Sequence, residues 1–129
     1  MSKEHAIHNE EVCDFLLSSD KYYDWVVTTA FYSALHYIRY EIFPYEEAGR
    51  TFYTIDQYYE FRKGDRRISK HKVLLDLTKL QAYSCYSYFK ILHDTCFTAR
   101  YVNYKVSREI AVQSRTYLEK LKRQLTKAE

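Results

Sequence analysis

The sequence predicts an all-α fold: one domain over residues 1–129, an antiparallel up-down bundle of four to five main helices, with a short extra helix in the Pro44–Asp65 region. Three observations carry this prediction. The 129 residues hold two Gly and one Pro against 47% apolar residues, too few turn residues for a multi-stranded protein. From Trp25 to Ile38 the chain runs without Lys, Arg, Asp, Glu, Gly or Pro. Elsewhere, apolar residues return every three or four positions, the period of a helix with one buried face. A chain this long buries roughly two-thirds of its unfolded surface, enough for a single core.

The first helix is expected from near Ser2 to Leu17, with Ser2 as cap and Val12, Phe15 and Leu16 as its inward stripe. Ser18-Ser19-Asp20 reads as a turn and a fresh N-cap, launching the second helix antiparallel to the first. In that helix Phe31, Ala34, Leu35, Ile38 and Ile42 share one face, and Trp25, Thr29, Tyr32 and His36 a second. Being apolar around most of its circumference, it is expected at the centre, buried from several sides. It is too short and too polar to span a bilayer. It should stop at or near Phe43, because Pro44 cannot continue it.

Residues 44–65 are the least regular part, and most of them are expected to form a mobile loop. Thr54-Ile55-Asp56-Gln57 has the form of a capping box, predicting a short helix from Ile55 to Phe61 anchored by Tyr58, Tyr59 and Phe61. Ser69 caps the next helix, with Val73, Leu74, Leu77 and Leu80 inward. Gln81 to Ser84 holds no strong breaker, so a break there and one long bent helix both stay open. Cys85, Tyr88, Phe89, Leu92, Cys96 and Ala99 then form a buried stripe. Val102-Asn103-Tyr104 is a short connection. Ser107 caps the last helix, with Ile110, Tyr117, Leu118, Leu121 and Leu125 toward the core and most of its Lys and Arg toward water.

Fifteen Tyr stand out in the composition. On helices they pack a ring inward and leave the hydroxyl wet or paired, or they line a subunit interface. Cys13, Cys85 and Cys96 are odd in number and show no CxxC spacing, which reads as buried reduced thiols of a cytosolic protein. Met1-Ser2-Lys3-Glu4-His5 has no apolar signal region. His5, His8, Glu10 and Glu11 sit on the first helix, but a frayed first turn is a poor cage; neither a metal nor a cofactor is expected. The net charge of +3 is mild. Arg62, Lys63, Arg66, Arg67, Lys70 and Lys72 face only Asp65. From Lys105 to Lys127 seven Lys and Arg face Glu109 and Glu119. These runs are either solvated faces or the footprint of a polyanion such as RNA. Arg100 follows the buried stripe directly and needs a carboxylate, Asp24 or Asp94, unless it holds a phosphate. His36 reads as a hydrogen-bonded core histidine, and His93 as part-exposed or interfacial.

The pattern Asp24-Trp25, then Phe31-Tyr32-Ser33-Ala34-Leu35-His36-Tyr37, then Ala99-Arg100-Tyr101 opening onto a last amphipathic helix, resembles the HEPN domain superfamily (higher eukaryotes and prokaryotes nucleotide-binding). The resemblance covers roughly Val12 to Leu125. It implies a small helical bundle that dimerises, of a kind common in prokaryotes. Many such proteins are ribonuclease toxins or abortive-infection proteins, and others sit beside nucleotidyltransferase partners. The ribonucleases resemble one another in an Arg followed after four to six residues by His, matched here by Arg66 and His71. The resemblance therefore implies Arg66 and His71 as catalytic residues; the basic run and the end of the buried stripe add Arg62, Lys63, Arg67, Lys70 and Arg100 as candidate binding residues. No metal is needed: a His near neutrality moves protons at a ribose 2′-hydroxyl, and an Arg holds the phosphate.

The function expected from these readings is a dimeric, cytoplasmic interaction or nucleotide/RNA-binding component of a prokaryotic toxin–antitoxin or defence system. A nucleotidyltransferase-type protein is its expected partner. The alternatives are a metal-independent endoribonuclease using Arg66 and His71, and a helical protein-docking module unrelated to nucleic acid.

Overall fold

The structure, a computed structural model, describes residues 2–127, with side chains from Lys3 to Leu125. Among the described residues six helices and one hairpin follow in order: α1 (Ser2–Ser19), α2 (Tyr23–Ile42), β1 (Tyr45–Glu47), β2 (Arg50–Phe52), α3 (Ile55–Lys63), α4 (Lys70–Gln81), α5 (Tyr83–Tyr101) and α6 (Arg108–Lys127). The expected Ser2 cap lies outside the described side chains. No described helix is long and apolar enough to cross a membrane.

The uncharged helix α2 is central. It packs on α1, α6 and α5 and touches α4. Val26, Val27, Ala30, Ala34 and Ile38 are fully buried, and Phe31 nearly so. The contact with α1 is close because small residues line it. Ala6 and Cys13 are fully buried, the Ser33 hydroxyl donates to the Ala6 carbonyl at 2.8 Å, and Cys13 Sγ lies 3.5 Å from the Val26 carbonyl oxygen. A tight seam leaves no room for large rings, so the expected inward stripe of α1 is corrected. Phe15 is 71% exposed, and Val12 and Leu16 are only half-buried at the flanks.

The second face of α2 is also corrected. Trp25 and Tyr32 are exposed, and Thr29 and His36 half-buried, so this stripe forms part of the surface. Asp20 does not cap α2. Asp20 and Tyr22 both adopt left-handed backbone angles, and Tyr22 takes the cap position without a side-chain bond, while Asp20 accepts from the Tyr23 hydroxyl. The helix ends at Ile42 with Phe43 extended, as Pro44 requires.

Part of the expected loop is instead a hairpin. Tyr45 pairs with Phe52, Glu46 with Thr51 and Glu47 with Arg50, closed by Ala48 and Gly49, both at positive φ. It packs on α3 through Tyr58, whose ring meets Phe52 and Tyr45 edge-on and whose hydroxyl donates to Glu47 at 3.0 Å. Thr54 Oγ1 caps α3 by accepting from the Gln57 N–H at 3.2 Å, and Gln57 Oε1 accepts in turn from Tyr53 N–H at 2.8 Å.

α4 and α5 are separate helices, because Ala82 leaves helical geometry at φ −144°, ψ 56°. In α5 the stripe Cys85, Phe89, Leu92, Cys96 and Ala99 is buried. Other residues expected inward are not buried: Leu80 is 72% exposed and Ile110 43%, and Tyr88 and Tyr117 are half-buried. In α6 it is Ala111 and Ser114, with Leu118, Leu121 and Leu125, that face inward. All three cysteines are buried and unpaired.

Candidate nucleic-acid interface

The stripe of α2 at the surface runs from the exposed Trp25 in its first turn through Tyr32 to the half-buried His36 and Arg39, the latter in its last turn. Beside it, α5 presents a file of rings at helical spacing. His93 meets the buried Phe31 at 5.6 Å between centroids and stacks toward Phe97 at 6.5 Å, and Phe97 meets Tyr101 at 5.0 Å. Phe97 is 53% exposed and Tyr101 77%. The Arg100 guanidinium lies over the Trp25 ring, 4.1 Å from its centroid, and 3.5 Å from Asp24 Oδ2. Of its two expected carboxylate partners Asp24 is the one used. Asp94 instead accepts from Lys90 at 2.7 Å and contacts His93 Nδ1 at 3.0 Å.

Next to this file stands the first turn of α4, where Ser69 Oγ accepts from the Lys72 N–H at 3.0 Å. The turn brings His71 against Phe31 at 5.4 Å, Tyr32 at 6.4 Å and His93 at 5.9 Å. Burial holds the His71 imidazole below its ordinary pKa, helped by His93 and Lys70. Between α2, α3 and α4 lies a cleft of about 140 Å³, walled by Tyr32, His36, Arg39, Lys70 and His71, with Leu35, Ile55 and Leu74 as its apolar lining. His36 departs from its expected role. Its Nδ1 is buried without a hydrogen bond, and its ring sits 4.6 Å from His5. Burial, with Arg39 and His5 nearby, pushes its pKa down to about 4.

The other expected site residues are dispersed. Arg66 is exposed and folds back on α3, Nη2 donating to the Arg62 carbonyl at 2.9 Å; no bond joins it to His71 among the described residues. Arg67 is exposed. Lys70 pairs with Asp56, Lys63 lies 3.5 Å from Glu60, and Arg62 only 4.0 Å from Glu47. With Lys72 on Asp76, four of the six cations of the run 62–72 lie against carboxylates, Arg62 and Lys70 against ones remote in sequence.

In the second basic run Lys105, Arg108, Lys120 and Arg123 face water as expected of most of its cations. Arg115 and Lys122 instead turn inward onto α1: Arg115 donates to Glu10 at 2.7 Å and Asp14 at 2.5 Å, and Lys122 to Glu10 at 2.8 Å. Glu10 is therefore a structural acceptor, and no group of three His, Cys, Asp or Glu placed to hold a metal occurs among the described residues.

Sequence spacing missed Trp25, His93, Phe97, Tyr101 and Arg39 as members of one surface. The signal present was the i, i+4, i+8 recurrence of His93, Phe97 and Tyr101, one position off the buried stripe Leu92–Cys96. No family model, curated protein or solved structure matches the chain.

Proposed function

We propose that the chain is a HEPN-like, dimeric cytoplasmic protein that binds RNA or a nucleotide. In this reading it is the interaction component of a prokaryotic toxin–antitoxin or defence pair, beside a nucleotidyltransferase-type partner. The observation that supports it is the exposed ring surface of Trp25, Phe97 and Tyr101 with Arg100 lying across Trp25. A base stacks on such rings for about 1–3 kcal/mol, whatever its identity, and a guanidinium beside them meets the phosphate. The test is fluorescence anisotropy of a labelled single-stranded oligoribonucleotide. Trp25→Ala and Phe97→Ala should each weaken binding about tenfold or more while leaving the circular dichroism spectrum unchanged. Equal affinity of both variants and wild type rejects the ring surface.

A second reading, the metal-independent endoribonuclease, is favoured by one feature: the His71 and His93 imidazoles lie 5.9 Å apart between centroids. One imidazole would take the 2′-hydroxyl proton as that oxygen attacks phosphorus. The other would protonate the departing 5′-oxygen, leaving a 2′,3′-cyclic phosphate. Arg66, folded onto α3, takes no part unless it swings toward His71. RNA cleavage in EDTA that disappears in His71→Ala supports this reading. Wild type and variant equally inert on varied RNAs removes catalysis at His71.

A further inference from the structure

Arg39 is the anomaly of the electrostatics. Five cations are half-buried with described side chains, and four of them, Lys63, Arg100, Arg115 and Lys122, lie against carboxylates. Arg39 has no carboxylate within 4.0 Å among the described residues, although it sits in the wall of the cleft between α2, α3 and α4. Asp56, which pairs directly with Lys70, acts on Arg39 only from beyond ion-pair distance, so the half-buried guanidinium forfeits hydration without a hydrogen-bonded counter-ion in return. The same cleft holds His36, whose buried Nδ1 lacks a partner, and His71, which has ring contacts only. A guanidinium and two imidazoles, none of them hydrogen-bonded to a carboxylate, share one concave site.

We infer that this cleft binds a phosphomonoester dianion, with Arg39, Lys70, His36 and His71 as its donors. The number of donors points to the dianion, whose three terminal oxygens can meet all four side chains where the two oxygens of a carboxylate cannot. Arg39 and Lys70 supply two fixed positive charges and Asp56, bound to Lys70, removes one. One net charge answers a carboxylate monoanion. A phosphomonoester carries about −1.5 to −2 and three terminal oxygens, and meets the balance once an imidazole takes up a proton. Leu35, Ile55 and Leu74 line the cleft with apolar surface, which sharpens every charge interaction inside it. At about 140 Å³ the cleft takes the phosphoryl end and leaves the rest of the ligand outside. Tyr32 is seven residues beyond Trp25 on α2, roughly 10 Å along the axis. A phosphate in the cleft therefore leaves the following bases near the rings of Trp25 and Phe97.

This deepens the nucleotide-binding reading and rests on it for the identity of the ligand, which is either a free nucleotide or the 5′ end of an RNA. The experiment separates them. Inorganic phosphate is titrated into the full chain while the histidine ring protons are followed by NMR. The His36 and His71 resonances should shift saturably, and those of the exposed His8 should not. Arg39→Gln should abolish the shifts with little change in thermal stability, since the side chain has no carboxylate within 4.0 Å among the described residues and acts on Asp56 only from further away. A 5′-phosphorylated oligoribonucleotide should then bind about tenfold tighter than its 5′-hydroxyl twin, and the two should become equal in Arg39→Gln. If 5′-AMP moves both resonances while the two oligonucleotides bind alike, the source is the free nucleotide. If neither oligonucleotide binds yet phosphate still moves His36 and His71, the cleft stands and the RNA reading falls. Phosphate that leaves both histidines unmoved overturns the inference.

Discussion

Replacing Arg115 by Met tests whether the bundle is held by its polar seam as well as by its core. Arg115 is 19% exposed and Glu10 14%, and they join α6 to α1, which otherwise touch little. Methionine keeps most of the hydrocarbon stem and removes the guanidinium. Asp14 and Glu119 are more than a third exposed, so water replaces what they lose, at about 0.5 kcal/mol or less each. Glu10 keeps Lys122 at 2.8 Å and Tyr37 at 2.7 Å but loses one charge-assisted bond, about 1.5–3 kcal/mol. The sum is about 1.5–4 kcal/mol. Glu10→Ala removes the shared acceptor from Arg115, Lys122 and Tyr37 at once and should cost more, about 3–5 kcal/mol. Lys90→Met breaks an exposed i, i+4 pair with Asp94 and should cost about 0.5 kcal/mol or less. Urea denaturation of the three variants measures the order directly. Arg115→Met within error of Lys90→Met would refute the reasoning, because the seam would then be no more than surface charge.

Phe89→Ala, deleting a fully buried ring stacked on Phe31 at 5.7 Å, should cost about 3–5 kcal/mol. Phe97→Ala, two turns along the same helix and 53% exposed, should cost about 1 kcal/mol or less by the same assay. Stability should also fall on acidification from about pH 6.5 toward about pH 4. His36 stays neutral in the folded state down to about 4, whereas the unfolded chain takes up that proton near the ordinary value of 6.5. The contribution is complete above the higher value and is lost as pH falls through the lower. His71, also held low by burial, acts in the same direction, and Glu10, depressed once folded, extends the loss below its ordinary value of 4.5. Urea midpoints measured from pH 7 to 4 should fall less steeply in His36→Gln than in wild type; identical slopes would contradict the assignment.

The helices were legible because their signals were redundant. α2 had an uncharged run closed by Pro44, and α3, α4 and α6 had Thr54, Ser69 and Ser107 as caps, all three of which accept the expected backbone N–H. The faces were less legible. A large residue at helical spacing was expected inward, but the α1–α2 seam selects small residues, so Ala6 and Cys13 displace Phe15. Ala111 and Ser114 displace Ile110 in the same way. The hairpin was missed because its strands are three residues long and its turn is Ala48-Gly49, with Ala where Asn or Asp usually announces two positive φ angles. Ala82 ends α4 without Gly or Pro, and so left no mark.

For the site, motif spacing paired Arg66 with His71, but spacing along the chain does not say where a side chain points. The neighbours of His71 are Phe31, Tyr32 and His93, brought by two other helices. Long-range ion pairs were equally invisible. Glu10 and Arg115 lie 105 residues apart, and no local pattern connects them.

Trp25 is the only tryptophan in the chain, and it lies under Arg100 at the centre of the proposed surface. Its intrinsic fluorescence during titration with a single-stranded oligoribonucleotide is therefore a report from one known position. The account predicts saturable quenching as a base stacks on the indole, weakened in Arg100→Gln and restored to free-protein intensity by high salt. Emission that stays constant while anisotropy shows the RNA to be bound would place the ligand elsewhere and contradict the account.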